Sequence, residues 1–185
     1  MQKWRPLIVL SLAQFLMVLD QAVMNVAISQ LVEDFDTTVT TIQGVITLYA
    51  LVMATLMITG GKIGDIIGRR RAFVIGLVIY GAGSALTAAS WSVPSLIFGW
   101  SILEGIGAAL VLPALVALLA ANYQGRDRIT AFGVLGGVAG VGIAAGPIVG
   151  GFFTTNLSWR WVFVGEVLIA CIIVLAARLI VDAKL

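Results

Sequence analysis

Histidine is absent from the 185 residues, cysteine occurs once, proline four times, and charged side chains make up only 11%. Each shortage excludes something. Without histidine there is no imidazole to switch charge near neutral pH and no His-based metal site. A single cysteine, Cys171, forbids an intrachain disulfide framework and leaves no basis for thiol–zinc chemistry. A charged fraction of 11% is under half of the ~25% usual in soluble domains. That excludes an ordinary water-soluble globule, and it equally excludes a disordered chain, which needs low hydrophobicity and high charge. The glycine-rich stretches lie inside apolar runs without a Walker lysine, so nucleotide binding and ATP-driven work have no support. No constellation of an enzyme active site is present.

Apolar side chains dominate instead, at 61%, with a mean hydropathy of +1.10. A helix needs ~20 mostly apolar residues to cross a hydrocarbon core of ~30 Å. Six windows meet that length, at about 7–29, 42–60, 72–91, 95–120, 130–153 and 161–181. The expected fold is therefore an all-α integral membrane bundle of six transmembrane helices, one domain covering residues 1–185. The first window is too long for a signal peptide, carries Asp20 and has no clean cleavage site, so it reads as a retained helix. Charges sort between the connections. Lys3, Arg5, Lys62, Arg69, Arg70, Arg71, Arg126, Arg128, Arg178 and Lys184 fall on one side, whereas the other holds Arg160 with Glu33, Asp34 and Asp36. The positive-inside rule then places both termini in the cytoplasm. The basic balance, +2 overall, is explained by topology and not by a nucleic-acid partner. Trp91, Trp159 and Trp161 are expected at outer helix ends and Trp4 at an inner end, as interfacial aromatics.

Polar side chains inside these windows are costly and are functional candidates by default. Asp20 lies ~21 Å along its helix from Pro6, either at a working site or partly wetted in the outer third. Asn25 follows five residues later, sharing its face only loosely. Glu104 lies ~14 Å from Ser95, close to the midplane. With no base in its own span it is expected to hold a proton at neutral pH, as a proton carrier, a counter-ion or a structural hydrogen-bond donor. Glu166 lies ~8 Å inside from Trp161 and either pairs with Arg160 or lines a cavity. The fifth window carries Gly133, Gly136, Gly137, Gly140, Gly142, Gly146, Gly150 and Gly151 with Pro147. Spacings of four put small residues on one face for close packing, and Pro147 is expected to kink the helix.

Two of these segments resemble signatures of the major facilitator superfamily. Gly61-Lys62-Ile63-Gly64-Asp65-Ile66-Ile67-Gly68-Arg69-Arg70-Arg71 resembles its cytoplasmic loop, G-x-x-x-D-x-x-G-R-R/K. The resemblance implies a gating role for Gly61, Asp65, Gly68, Arg69 and Arg70 between spans two and three. Gly142-x-x-x-Gly146-Pro147-x-x-Gly150-Gly151 is similar to the antiporter motif of the fifth helix, which implies export. Leu19 to Ile28 is similar to the first helix of the drug:proton antiporters, chiefly the fourteen-helix branch, with Ala22 where Thr is usual and Ser29 where Pro is usual. Span four departs from R-x-x-Q-G-x-G-x-A, having Ser101 for the Arg and Glu104 for the Gln. That Arg is tied to proton coupling in the family. Trp159-Arg160-Trp161 opens span six as W-R-W does in the family, with Gly165 at its Asn position and Glu166 one residue beyond.

The resemblance implies half of a major facilitator fold, built as two three-helix repeats, in the cell's inner (cytoplasmic) membrane. Its expected work is proton-coupled efflux of small amphipathic or cationic compounds. The proton gradient is the energy source, with no cofactor and no metal. Asp20, Asn25, Glu104 and Glu166 are the expected substrate- and proton-binding residues. One such bundle would leave those acids facing lipid unless a second wall covered them. A parallel homodimer is therefore expected, with another six-helix half as the alternative. A non-transporting partner subunit and an N-terminal fragment of a longer exporter are the other readings.

Overall fold

The computed structural model describes residues 2–182; Lys184 lies outside them. A helical turn, Gln2–Trp4, leads into α1 (Arg5–Val26). A short α2 (Ile28–Asp34) follows a break at Ala27. Next come α3 (Val39–Ile67) and α4 (Arg69–Ala88). The fourth span is continuous over Val93–Asn122 but changes pitch: α5 (Val93–Leu96), a π-helical stretch (Ile97–Glu104) and α6 (Gly105–Asn122). α7 (Gly125–Asn156) and α8 (Arg160–Ala176) complete the bundle. Among the described residues six helical stretches are long and apolar enough to cross a membrane. The chain is a multi-pass membrane protein.

The ends follow local chemistry. Thr38 caps α3, its side chain accepting from the Thr41 N–H at 3.2 Å. Ser92 and Ser95 form a reciprocal capping box at the start of the fourth span. α3 runs about two turns past its expected end. Gly61 to Ile67, read from sequence as loop, is helix, and Gly68 alone separates α3 from α4. Gly68 adopts φ +101°, ψ 140°, a backbone region essentially restricted to glycine. Lys62 and Asp65 end the apolar window, yet their side chains reach outward while the backbone ladder continues.

α1 packs chiefly on α7, α4 on α6 and α8, and α3 on α6. The contacts rest on absent side chains. A methyl in place of the Gly107 hydrogen would sit 2.7 Å from the Gly76 carbonyl oxygen. At Gly60 it would run into the Ala109 carbonyl, and at Gly146 into the Ala22 methyl. Gly142, Gly146 and Gly150 all face α1, at Val18, Ala22 and Val26. Gly133, Gly136, Gly137, Gly140 and Gly151 have nothing nearby, so the antiporter-like run divides between a packed face and an open one. α7 continues through Pro147 to Asn156 without a break.

At the acidic end, Trp159 is fully buried and is not an interfacial aromatic, whereas Trp91 and Trp161 are exposed. Its indole N–H donates to Asp34 at 2.8 Å and its backbone N–H to the Gln30 side chain at 3.0 Å. Arg160 stacks over Trp159 and Phe35 and donates to the Ala88 and Ser90 carbonyls at 3.0 and 2.6 Å. It meets the C-terminal carbonyls of α4 and does not pair with Glu166. Trp4 stacks on Tyr123 at the opposite end. Cys171 is exposed, on the outer surface of α8.

Candidate functional site

Three acids from three helices meet inside the bundle. Asp20 of α1, Glu104 at the end of the π-helical stretch and Glu166 of α8 are 0%, 0% and 1% exposed. One carboxylate oxygen from each lies within 4.8 Å of the others. This overturns the expectation that they line an open wall, because the single bundle buries them unaided. It also overturns the partly wetted reading of Asp20. Asn25 is exposed and donates to the Gln21 carbonyl at 2.8 Å. Five residues of helix turn it away from the acids.

The acids are brought together by close helix approach. A methyl at Gly83 would stand 2.6 Å from the Gly99 carbonyl oxygen and 2.8 Å from Glu104 Cγ. Having none lets α4 lie against the π-helical stretch, so that Ser84, the next residue, reaches both glutamates. Its Oγ is 2.6 Å from Glu104 Oε1 and 3.1 Å from Glu166 Oε2. A hydroxyl owns one proton, so both contacts are satisfied only when one glutamic acid keeps a proton and gives it to Ser84. Trp100 donates its indole N–H to Asp20 Oδ2 at 2.9 Å. Since indole only donates, Asp20 is held as an acceptor. Tyr49 stacks on Trp100 with ring centres 4.4 Å apart, and Tyr80 lies beside Asp20. Trp100 and Glu104, four residues apart, share one face of this stretch, whose π-helical pitch is common at functional positions.

Sequence reasoning found the three acids and missed Ser84, Trp100, Tyr49 and Tyr80. A signal existed. Tyr80, Ser84 and Thr87 recur at helical spacing in α4 and all are buried. Ser101, at the position where an Arg was expected, donates to the Val45 carbonyl at 2.8 Å and ties the fourth span to α3. Surface grooves run between α1 and α7 and between α4 and α8; apart from Ser11 in the first, both are lined by apolar residues and neither includes the acids.

At the basic end, Asp65 pairs with Arg69 across the joint. Arg70 donates its backbone N–H to Asp182 at 2.9 Å and its guanidinium to the Ile180 carbonyl at 3.0 Å. The signature segment is thus joined to the chain that follows α8. Asn122, at the end of α6, clasps the same segment through Val181 in both directions. Gly61 lies 3.7 Å, at the position of an added methyl, from Pro113 of α6.

Comparison with known proteins agrees with this architecture. A sequence profile described as Major Facilitator Superfamily matches residues 10–184. The chain is 37% identical over 180 residues to a puromycin resistance protein of Streptomyces alboniger, covering 97% of this chain and 36% of that protein. It is 32% identical to a lincomycin resistance protein of Streptomyces lincolnensis, covering 97% and 37%. To a riboflavin transporter of Clostridioides difficile it is 30% identical, covering 94% and 38%. It therefore spans well under half the length of these relatives. Among solved structures, a peptide transporter bound to sulfate superposes with a TM-score of 0.82 at 16% identity, over 94% of this chain and 37% of that one.

Proposed function

Because the chain belongs to the Major Facilitator Superfamily, we propose that it is one half of a secondary transporter, working in the inner membrane, that exports small amphipathic or cationic compounds in exchange for protons. The observation that carries this reading is the buried cluster of Asp20, Glu104 and Glu166. Acids placed in a membrane interior at such cost mark ion pathways and proton relays. Relatives named for resistance to puromycin, lincomycin and methylenomycin A favour export.

The cluster is closed on all sides within the bundle, so it serves the proton and not the solute directly. Substrate is held between this bundle and a second six-helix half, supplied by another copy of the chain or by a different polypeptide. Substrate arriving from the cytoplasm favours the state in which Glu104 has released its proton. Proton return from outside favours release and resets the carrier. Only this difference in affinity between the two states drives the cycle. The Gly61, Asp65, Gly68, Arg69 and Arg70 segment, bound to Ile180 and Asp182, closes the inner end. Gly142, Gly146 and Gly150, in one motif with Pro147, lock α7 onto α1, while Gly151, on the open face of α7, belongs to the surface on which the halves turn.

A second reading, a non-transporting partner subunit, is favoured by Ser101. The position expected to carry a coupling Arg carries a structural bond to Val45 instead. Reconstitution of the chain in proteoliposomes separates the two. An imposed pH gradient is expected to move ethidium, a permanent cation, in the wild type and not in Glu104→Gln. Equal pH-driven movement in the variant refutes the assignment of coupling to Glu104, and no movement by the wild type alone supports the subunit reading.

A further inference from the structure

Four buried oxygens around the cluster have no hydrogen-bond partner: Asp20 Oδ1, Tyr80 Oη, Glu104 Oε2 and Glu166 Oε1. Tyr80 is independent of the acids and fully buried. Its hydroxyl lies close to Asp20, with no partner in good hydrogen-bond geometry. Unpaired polar atoms this deep are rare, and an unseen ion is one of the standard reasons for them. The ion pairs found among the described residues, Lys3–Asp127 and Arg69–Asp65, are both remote from the site. Among the described residues no basic side chain forms an ion pair with the cluster.

The donor chemistry narrows what fits. All free donors are oxygens, which select hard cations over zinc or copper. Mg²⁺ demands near-octahedral geometry and keeps several waters, which a site without exposure does not admit. Ca²⁺ takes about 6–8 oxygens, more than the free ones here. Na⁺ has nearly the radius of Ca²⁺ with half its charge, and it is less demanding in ligand number. Charge agrees too. With one glutamic acid keeping its proton, as the Ser84 contacts require, the remaining carboxylates leave the cluster anionic and open to a cation.

We propose that Asp20, Glu104, Glu166 and Tyr80 form a sodium site, in which Na⁺ occupies the space between the unpaired oxygens and competes with protons for it. This deepens the transport reading, since it names a second coupling ion for the same cluster. The titratable groups facing the ion are Asp20 from α1, Tyr49 from α3, Tyr80 from α4, Glu104 from the fourth span and Glu166 from α8. Each carboxyl that takes up a proton loses its appeal to sodium.

Thermal unfolding of the purified chain in mild detergent tests this without any flux. At about pH 8, replacing choline chloride with about 100 mM NaCl is expected to raise the midpoint by about 3–6 °C, because a ligand bound only to the native state stabilises it by mass action. The gain is expected to fade at about pH 5, where protons win by mass action. Asp20→Asn and Glu166→Gln are expected to lose it. Tyr80→Phe retains the ring, guarding against a folding failure, and is expected to need about three- to tenfold more sodium for the same gain. Equal midpoints in sodium and choline, a sodium gain that survives Asp20→Asn, or a gain with Ca²⁺ but none with Na⁺ would each overturn the site. Loss of the sodium effect beside intact pH-driven flux rejects sodium alone, whereas Glu104→Gln with intact pH-driven flux rejects the proton reading.

Discussion

Ser84 shows how much one hydroxyl does in this fold. Among the described residues it is the only non-acidic side chain hydrogen-bonded to either glutamate. Ser84→Ala strands two carboxyl oxygens in a dry interior, where each unsatisfied group costs about 1–3 kcal/mol. The variant is expected to unfold several degrees below wild type in mild detergent, whereas Ser90→Ala, which loses only a local bond to the Thr87 carbonyl, is expected to change little. Gly68 matters for a different reason. At φ +101° an alanine is strained by about 1–3 kcal/mol, and its methyl would stand 3.3 Å from Asp182 Oδ2. Gly68→Ala is therefore expected to lower the unfolding midpoint and to loosen Arg70 from Asp182, read as faster proteolysis after α8. At this scale the acids were legible because a bilayer makes every carboxyl conspicuous. Their companions were not, because Trp and Tyr are ordinary helix-packing residues. What makes Ser84 special is the approach permitted at Gly83, which is a fact about two helices.

Among the elements, α7 offers an internal control. Gly146 faces Ala22 with no room for a methyl, while Gly137 faces nothing. Overpacking a tight contact costs about 1–3 kcal/mol, and alanine in an open helix position gains up to about 1 kcal/mol over glycine. Gly146→Ala is expected to lower the thermal midpoint of the chain, and Gly137→Ala to hold or raise it. Identical effects of the two would mean that α1 and α7 do not meet as described. The number of spans was legible because bilayer thickness fixes an apolar window. Their ends were less so. α3 crosses Lys62 and Asp65 without ending, since long side chains reach polar surroundings from a helix that continues. The π-helical stretch at Ile97–Glu104, which packs against α4, was not read from the sequence. Gly142, Gly146, Gly150 and Gly151 read as one motif, yet Gly151 points away from the rest, as a helical repeat near four residues leaves adjacent positions a hundred degrees apart.

At the scale of the whole molecule, burial is uneven. In α3 and α7 only 17% of the apolar window is covered, against 56% in the first span and 61% in the fourth. Bulky aliphatics such as Ile58, Ile66, Ile143 and Ile148 suit contact with lipid tails. The open glycines of α7 do not, because a bare backbone gains little from disordered chains and much from a close helix. The acids had been the reason to require a second half, and their burial removes it. The glycine face supplies another. If the facing half is a second copy, a cysteine at Gly140, introduced with Cys171→Ser to remove the exposed native thiol, is expected to form disulfide-linked dimers in membranes under mild oxidation. Native Cys171 alone, on the outer side of α8, is expected to link far less. In a two-fold interface a residue close to the axis meets its own counterpart, whereas one on a face outside the interface does not. Equal linking at both positions would indicate random collision in the bilayer, and no linking at Gly140 with a monomeric mass in lipid would exclude the second copy.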